Sequence, residues 1–330
     1  MNILNIYKKF FKNYIIFIKI LLLFLFVFQL FKYFFSKNDK KKVIKNIKIC
    51  ICTLGKKENR YIREFSQFYK ELGIDKIFLY DNNDINDERF EEVISDYIDE
   101  GYIKLINKRG LKQQLYKIMN DCYRTNYQKF DWLLFFEIDE YINLKNYSNI
   151  KNFLKENKFQ NCNVIYLNWV LHTDNNLIYY ENKSLHERFP ILEPNVLNKN
   201  KNYSNPVKSI LKGNISNIKI NNVHILNSNL KNTCNGFGNE PQMDNYYMKN
   251  ADFKYYYIDH YYCKSVEEFI YKINMGCAIL GDNIDYKLHR IHRYFKINKI
   301  TIEKINFIEN KTGINLSKFK LLYYKNNTKL

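Results

Sequence analysis

Glycine and proline are scarce, at 10 and 4 of 330 residues, which excludes collagenous and linker-rich designs. The 7 cysteines show no paired spacing, so the chain is not a disulfide-scaffolded mini-domain. Cys50 and Cys52 stand two apart in an apolar run. They read as core thiols of one strand rather than as a metal pair, which wants wider spacing. The cysteines therefore leave the compartment open. There is no GxGxxG, no Walker loop and no internal repeat, and the dinucleotide and P-loop readings lose their main support. What is present is ample: 46% apolar and 26% charged residues in 40.2 kDa exclude a disordered chain and allow a sizeable core.

A net charge of +18 invites a nucleic-acid partner, but its distribution argues against one. Residues 1–48 hold eleven Lys against one Asp, so the remaining 282 residues carry only a dispersed +8. Residues 14–35 are apolar except for Lys19, Gln29 and Lys32, long enough to span a bilayer as a helix. The two lysines lie toward the ends, where they can snorkel. No small-residue cleavage site follows, so a retained single span is expected rather than a signal peptide. This divides the chain into a tail (1–13), a transmembrane helix (14–35), a basic stem (36–46) and a body (47–330). Lysines after the span favour a cytosolic body by the positive-inside rule. Seven N-x-S/T sequons, among them Asn146, Asn182, Asn202 and Asn214, point instead to a lumen.

From Lys48 the chain alternates. Residues 48–53 read as a buried strand, and residues 59–72 as a helix with Ile62, Phe65, Tyr69 and Leu72 on one face, stopped at Gly73. A strand follows at 77–80, a helix around Phe90 to Ile98 ending at Gly101, a strand at 102–106, a helix at 111–124 and an apolar strand at 132–136. This order implies a parallel sheet covered on both faces, whose ligands bind beyond the carboxyl ends of the strands. There, Glu137 and Asp139 follow the last apolar run. Strand alternation would put both carboxylates on one side, with Ile138 turned away. Two such acids repel unless a cation compensates, and Mg²⁺ or Mn²⁺ suits oxygen ligands that must also leave room for phosphate.

The segment Trp132-Leu-Leu-Phe-Phe-Glu-Ile-Asp-Glu-Tyr-Ile142 resembles the W-L-x-F-x-D-x-D-E-F segment of glycosyltransferase family 92 and related family-2-like enzymes. Cys52-Thr-Leu-Gly-Lys-Lys-Glu-Asn59 is similar to that family's opening strand and helix. Leu72-Gly-Ile-Asp-Lys-Ile-Phe-Leu-Tyr-Asp-Asn-Asn83 resembles its lG-v-d-i-x-y-D-N stretch. Asn168-Trp169 with Glu187-Arg188-Phe189 looks like the acceptor side, and Asp259-His-Tyr-Tyr-Cys-Lys-Ser-Val-Glu-Glu-Phe269 is similar to H-Y-x-x-K-S-x-E-E-F. The motifs occur in the family's order over about residues 47–310. One departure stands out: Glu137 occupies a position where the family usually has Asp.

The resemblance implies a GT-A type α/β fold, Rossmann-like, with a mostly parallel sheet and flanking helices. The nucleotide-binding half would cover about 47–145 and the acceptor half about 146–310. It implies transfer, with inversion, from a nucleotide sugar to a glycan or other hydroxyl acceptor. A UDP-sugar would be the donor, UDP-galactose among the candidates, and Mn²⁺ or Mg²⁺ the cofactor. A member of this family would sit in the Golgi membrane facing the lumen in a eukaryote, or in the plasma membrane of a bacterium. Thr53, Lys56, Glu58, Asp81 and Arg109 are the candidate donor contacts. His260 is the candidate third metal ligand beside Glu137 and Asp139, with His224 a less favoured one. Inversion needs a carboxylate to take the acceptor proton; Asp174 is the candidate, with Glu187 the alternative. Ser265-Val-Glu-Glu268 reads as a capping box, which makes Glu268 a cap rather than a catalyst. Two rival functions remain: a catalytically inactive sugar-binding or membrane-surface protein, and a metal-dependent phosphotransferase, which Glu137 in place of a nucleophilic Asp fits poorly.

Overall fold

A computed structural model describes residues 23–29, 46–112, 114–197, 205–227, 229–249, 253–275 and 283–327. The chain divides into two units, Met1–Asn46 and Ile47–Leu330. In the first, residues 23–29 are helical, with Leu23, Phe24, Phe26 and Phe28 exposed. The rest of the expected span over residues 14–35 lies outside the described residues, among which no helix is long and apolar enough to cross a membrane.

The body opens with the expected alternation. Strand β1 (Ile49–Gly55) leads to α1 (Asn59–Glu71), β2 (Lys76–Asp81), α2 (Glu91–Asp99), β3 (Ile103–Asn107), α3 (Leu115–Asn126) and β4 (Trp132–Leu134). β-Branched and aromatic residues fill the strands, and each helix lays one apolar stripe on the sheet. In α1 that stripe includes Ile62, Phe65 and Tyr69, all buried. The turn after α1 needs the left-handed backbone that Gly73 supplies at φ +99°. These four strands are parallel, in the order β3-β2-β1-β4.

The second half extends the same sheet with strands of both directions. It comprises β5 (Glu140–Leu144), α4 (Ile150–Leu154), β6 (Val164–Leu171), α5 (Leu185–Arg188), β7 (Asn205–Lys212), three short strands β8 (Thr233–Asn235), β9 (Met243–Asp244) and β10 (Tyr247–Met248), and then β11 (Tyr256–His260). Helices α6 (Val266–Asn274), α7 (Ile284–Ile297), α8 (Ile302–Thr312) and α9 (Ser317–Asn327) close the chain. β7 lies antiparallel to both β4 and β6, while β11 runs parallel to β6 and antiparallel to β5. The expectation of a mostly parallel sheet is thereby corrected to an evenly mixed one. The βαβ pattern that predicts parallel pairing ends at β4, and long connections then bring strands in from either direction.

The cysteines also depart from the sequence reading. Cys52 is not a free core thiol: it pairs with Cys122 and so ties β1 to α3, and Cys162 pairs with Cys234. Cys50 is free and buried, as expected. The bridges close loops of 70 and 72 residues. Loops of that length are the ones in which a cross-link most restricts the unfolded chain, by about 4 kcal/mol in the chain-entropy account. Replacing Cys52 and Cys122 together by Ser is expected to cost about 3 kcal/mol and to lower Tm by several degrees in a thermal melt. A melt that is the same for the variant, and for wild type with and without reductant, would show that the bridge does not form.

Candidate functional site

The acidic turn forms where β4 ends. The strand stops at Leu134, two residues earlier than expected, and residues 137–140 turn back into β5. The turn is closed by the Glu140 N–H donating to the Glu137 carbonyl at 3.0 Å, and the Glu137 N–H donates to Oε2 of Glu140 at 3.0 Å. Glu137 and Asp139 are therefore brought together by a turn rather than by strand alternation, and a third carboxylate, Glu140, joins them. The Tyr69 hydroxyl pins this turn to α1, donating to the Glu140 carbonyl at 2.8 Å and accepting the Ile142 N–H at 3.1 Å. His260 arrives on β11, in register opposite Glu140.

Burying this much negative charge requires cations, and the structure supplies them from the second half. Lys208 on β7, 2% exposed, reaches Glu137 Oε1 at 2.8 Å and Glu140 Oε1 at 3.0 Å. Lys272 on α6 pairs with Oδ2 of Asp139. Lys264, 3.5 Å from Glu58, lies across the face of Tyr61. Lys208 and Lys272 are not recognisable as site residues in the sequence, because their partners lie 68 to 133 positions away. Although 49% of the Glu137 side chain is open, its carboxylate end lies deep. Desolvation is the largest single influence and works against its charge, but the neighbouring cations, Lys208 foremost, together outweigh it and bring it down to about 2. The same contest, won chiefly by Lys272, holds Asp139 well below the usual carboxylate range. Glu140 goes the other way: burial dominates and pushes it up to about 8.

Glu137, Asp139 and His260 each offer a ligand atom within 4.8 Å of the others. His260 Nε2 lies 3.6 Å from Oδ1 of Asp139, the oxygen that Lys272 leaves open. Both His260 ring nitrogens are buried without a hydrogen-bond partner, and burial lowers its pKa to about 3, so the ring is neutral and its lone pair is available. Two carboxylates and an orphaned neutral imidazole fit a hard divalent cation such as Mn²⁺ or Mg²⁺. His224 is not in this set: its Nδ1 lies 3.0 Å from the Val207 carbonyl and its ring stacks on Tyr246.

The other sequence candidates divide. Thr53 is buried, its hydroxyl has no partner, and with Glu137 and Lys208 it lines a narrow cleft. Glu58 is half-buried, with Oε2 itself buried and lacking a hydrogen bond and its carboxyl raised by desolvation. Lys56 is on the rim, paired with Asp84. Arg109 and Asp81 are turned to a structural task. They pair at 2.7 Å, and Arg109 also donates to the carbonyls of Asp84, Asp87 and Glu88 at 2.7 to 3.0 Å, which organises that loop.

Asp174, the candidate base, sits in a hydrogen-bond network of its own. It is buried, and Oδ2 is held by Lys304 at 2.6 Å and by the Tyr294 hydroxyl, while Oδ1 accepts the Asn176 N–H. Glu187 caps its own short helix through Ser184, with its pKa lowered by those hydrogen bonds. The Ser265 capping box forms as expected, and its Glu268 additionally binds Arg188 at 2.7 Å and Tyr61 at 2.5 Å. Beside the acidic turn, Arg290 and Arg293 of α7 both lie against Tyr262, and Arg293 also faces Trp169.

The model of glycosyltransferase family 92 matches residues 45–308. Three plant proteins, each called a glycosyltransferase family 92 protein, are similar over shorter stretches. The one from Ricinus communis is 25% identical over 126 residues, 38% of this chain and 22% of that protein. The one from Arabidopsis thaliana is 26% identical over 115 residues, 32% and 18% of the two chains, and the one from Oryza sativa subsp. japonica 24% over 108 residues, also 32% and 18%. The matched stretches thus span about a fifth of those relatives' lengths. Among solved structures, S. aureus TarS 1-349 in complex with UDP-GlcNAc aligns at a TM-score of 0.41 and 13% identity, covering 81% of this chain and 80% of that one. The complex of the same protein with UDP aligns at 0.39 and 14%, covering 84% and 86%.

The pairing at the turn fixes what substitution should do. Asp139→Asn relieves the repulsion between Asp139 and Glu137 but strands Lys272, and leaving a largely buried ammonium unpaired outweighs the relief. The variant is expected to lose about 2 kcal/mol, read as a lowered Tm, and Lys272→Met in the same chain should restore most of it. An Asp139→Asn protein as stable as wild type would show that the pair does not form.

Proposed function

The chain belongs to glycosyltransferase family 92, and on that premise we propose that it is a membrane-anchored transferase. It moves a sugar from a UDP-sugar to a hydroxyl of a glycan or glycoconjugate. The observation that carries this reading is the Glu137–Asp139–His260 set, placed beyond the carboxyl ends of parallel strands and surrounded by lysine and arginine. A donor of this class is anionic, and its departure as a nucleoside diphosphate builds negative charge. Glu137, Asp139 and His260 would hold Mn²⁺ or Mg²⁺, which supplies Lewis-acid stabilisation of that charge when bound. Lys272, Arg290 and Arg293 stand around the same spot and attract the diphosphate directly. Thr53, whose buried hydroxyl has no partner, and Glu58, whose Oε2 has no hydrogen bond and only Lys264 nearby at 3.5 Å, are the donor contacts this reading retains.

The anchor is residues 14–35. The body would face an oxidising compartment, either the Golgi lumen or the exterior of a plasma membrane. Two disulfides favour that side, and so do the exposed sequons Asn146, Asn182 and Asn214. With the cysteines paired, the lysine count after the span is the weaker argument. If residues 14–35 cross a bilayer, full-length protein should resist carbonate extraction; carbonate-soluble protein would rule out the anchor.

Catalysis is tested by following UDP release from a panel of UDP-sugars with the full-length chain in detergent. Slow donor hydrolysis that rises with Mn²⁺ is expected. Asp139→Asn should reduce it by about two orders of magnitude, since charge stabilisation at the leaving group contributes several kcal/mol. Activity indifferent to chelator would refute the metal site. Donor binding with no hydrolysis under any condition would favour a sugar-binding protein.

A further inference from the structure

Beside the acidic turn, a row of aromatic rings leads from His260 to the surface. Trp169 on β6 packs against His260 at a centroid distance of 4.5 Å and, edge to face, against His224 at 5.0 Å. His224 stacks on Tyr246 at 4.7 Å, and Tyr246 on Tyr247 at 4.6 Å. Tyr247 is 37% exposed. One residue of β7 fixes the row. The Val207 N–H donates to the Tyr246 carbonyl at 3.1 Å, and the Val207 carbonyl lies 3.0 Å from Nδ1 of His224, while the next residue, Lys208, reaches the acidic turn. Arg293 lies 5.7 Å from the Trp169 ring and within electrostatic reach of the Tyr247 hydroxyl, so both ends of the row border one region.

Two atoms of this row lack a partner among the described residues, and they are complementary. Trp169 is 6% exposed, yet its indole N–H meets no acceptor. An unmade buried hydrogen bond is a cost to the fold, and a ligand that accepts from the indole removes it. Nδ1 of His224 faces a carbonyl, which only accepts, so Nδ1 carries the proton of the neutral ring and Nε2 keeps a lone pair. Burial lowers the His224 pKa to about 4, which keeps the ring neutral. A sugar hydroxyl donates and accepts at once, and so answers an indole N–H and an imidazole lone pair on neighbouring rings. Tyr247, propped by two rings and exposed beyond them, is a rigid apolar surface of the kind that the C–H face of a pyranose covers, with little ordering left to be done on binding. It stands two stacking steps beyond His224, so the inner and outer contacts suit successive units of a chain. We propose that Tyr247, Trp169 and His224 form the subsite of a neutral oligosaccharide acceptor. An outer sugar rests on Tyr247, a hydroxyl of the next lies between Trp169 Nε1 and His224 Nε2, and the end of the chain is presented to the acidic turn. None of the three contacts carries a charge, which suits an uncharged sugar and leaves Arg293 to the donor diphosphate. Calling this chain the acceptor rests on the transferase reading above, and the experiment separates the two.

The full-length chain, in a detergent without a sugar headgroup, is titrated by calorimetry with cellohexaose, chitohexaose and mannohexaose, and with glucose, N-acetylglucosamine and mannose. At least one hexasaccharide is expected to bind about tenfold tighter than its own monosaccharide. Tyr247→Ala is expected to weaken that binding about tenfold and Tyr247→Phe to preserve it, because the platform is the ring and not the hydroxyl. Trp169→Phe keeps a ring and removes the N–H, and should weaken binding about fivefold. A thermal melt accompanies each variant, and if Tyr247→Ala melts early, Tyr247→Leu is read in its place. Failure of all three hexasaccharides to bind more tightly than their monosaccharides overturns the proposal. So does binding that the loss of the Tyr247 ring leaves unchanged. Binding of UDP with Mn²⁺ to the same samples reports on the transferase reading alone. Where UDP does not bind but sugar binding still depends on Tyr247, the subsite stands and the transferase reading falls.

Discussion

Three carboxyl groups gathered in one tight turn, two of them charged, are not stable company, and the body is arranged around the cations that make them so. Lys208 is the centre of that arrangement. Its ammonium is buried between Glu137 and Glu140, and burial, which disfavours its charge, is overcome by the two acids. A lysine in that position needs β7 beside β4, so the antiparallel insertion into a parallel sheet brings in the compensating charge. Lys272 does the same for Asp139 from α6. The site is thus built from both halves of the chain, and neither half on its own holds a neutral version of it.

Much of the first half was legible in the sequence. Hydrophobic periodicity located the strands and helices from β1 to β4, and Gly73 and Gly101 marked helix ends, as their positive φ angles show. Ser265 and Glu268 were readable as a capping box, since that device is local and has a fixed spacing. Glu137, Asp139 and His260 were legible as a set only through resemblance, because no local rule joins residues more than a hundred positions apart.

What was not legible shares one cause. Disulfide partners 70 residues apart, Lys208 against an acidic turn 71 residues earlier, and Lys304 against Asp174 are all long-range pairings without a local signature. Asp174 looked like a loop acid suited to catalysis. Its partners on α7 and α8, Tyr294 and Lys304, hold it in a buried network. The evenly mixed sheet is a further instance: strand direction after β4 depends on how long connections cross, which periodicity does not encode.

The pairing of β11 with β5 has a consequence for how such a chain can change over time. His260 is set opposite Glu140 by a ladder of backbone hydrogen bonds, so its place depends on counting residues from the end of the strand. Substitutions along β11 can be absorbed as long as the count is kept. A single inserted or deleted residue would send every side chain to the other face and present Asp259 or Tyr261 where the imidazole stood. Lineages of this protein should therefore tolerate drift in the identity of these residues far better than any drift in their number, and length variation should collect in the connections outside the strand.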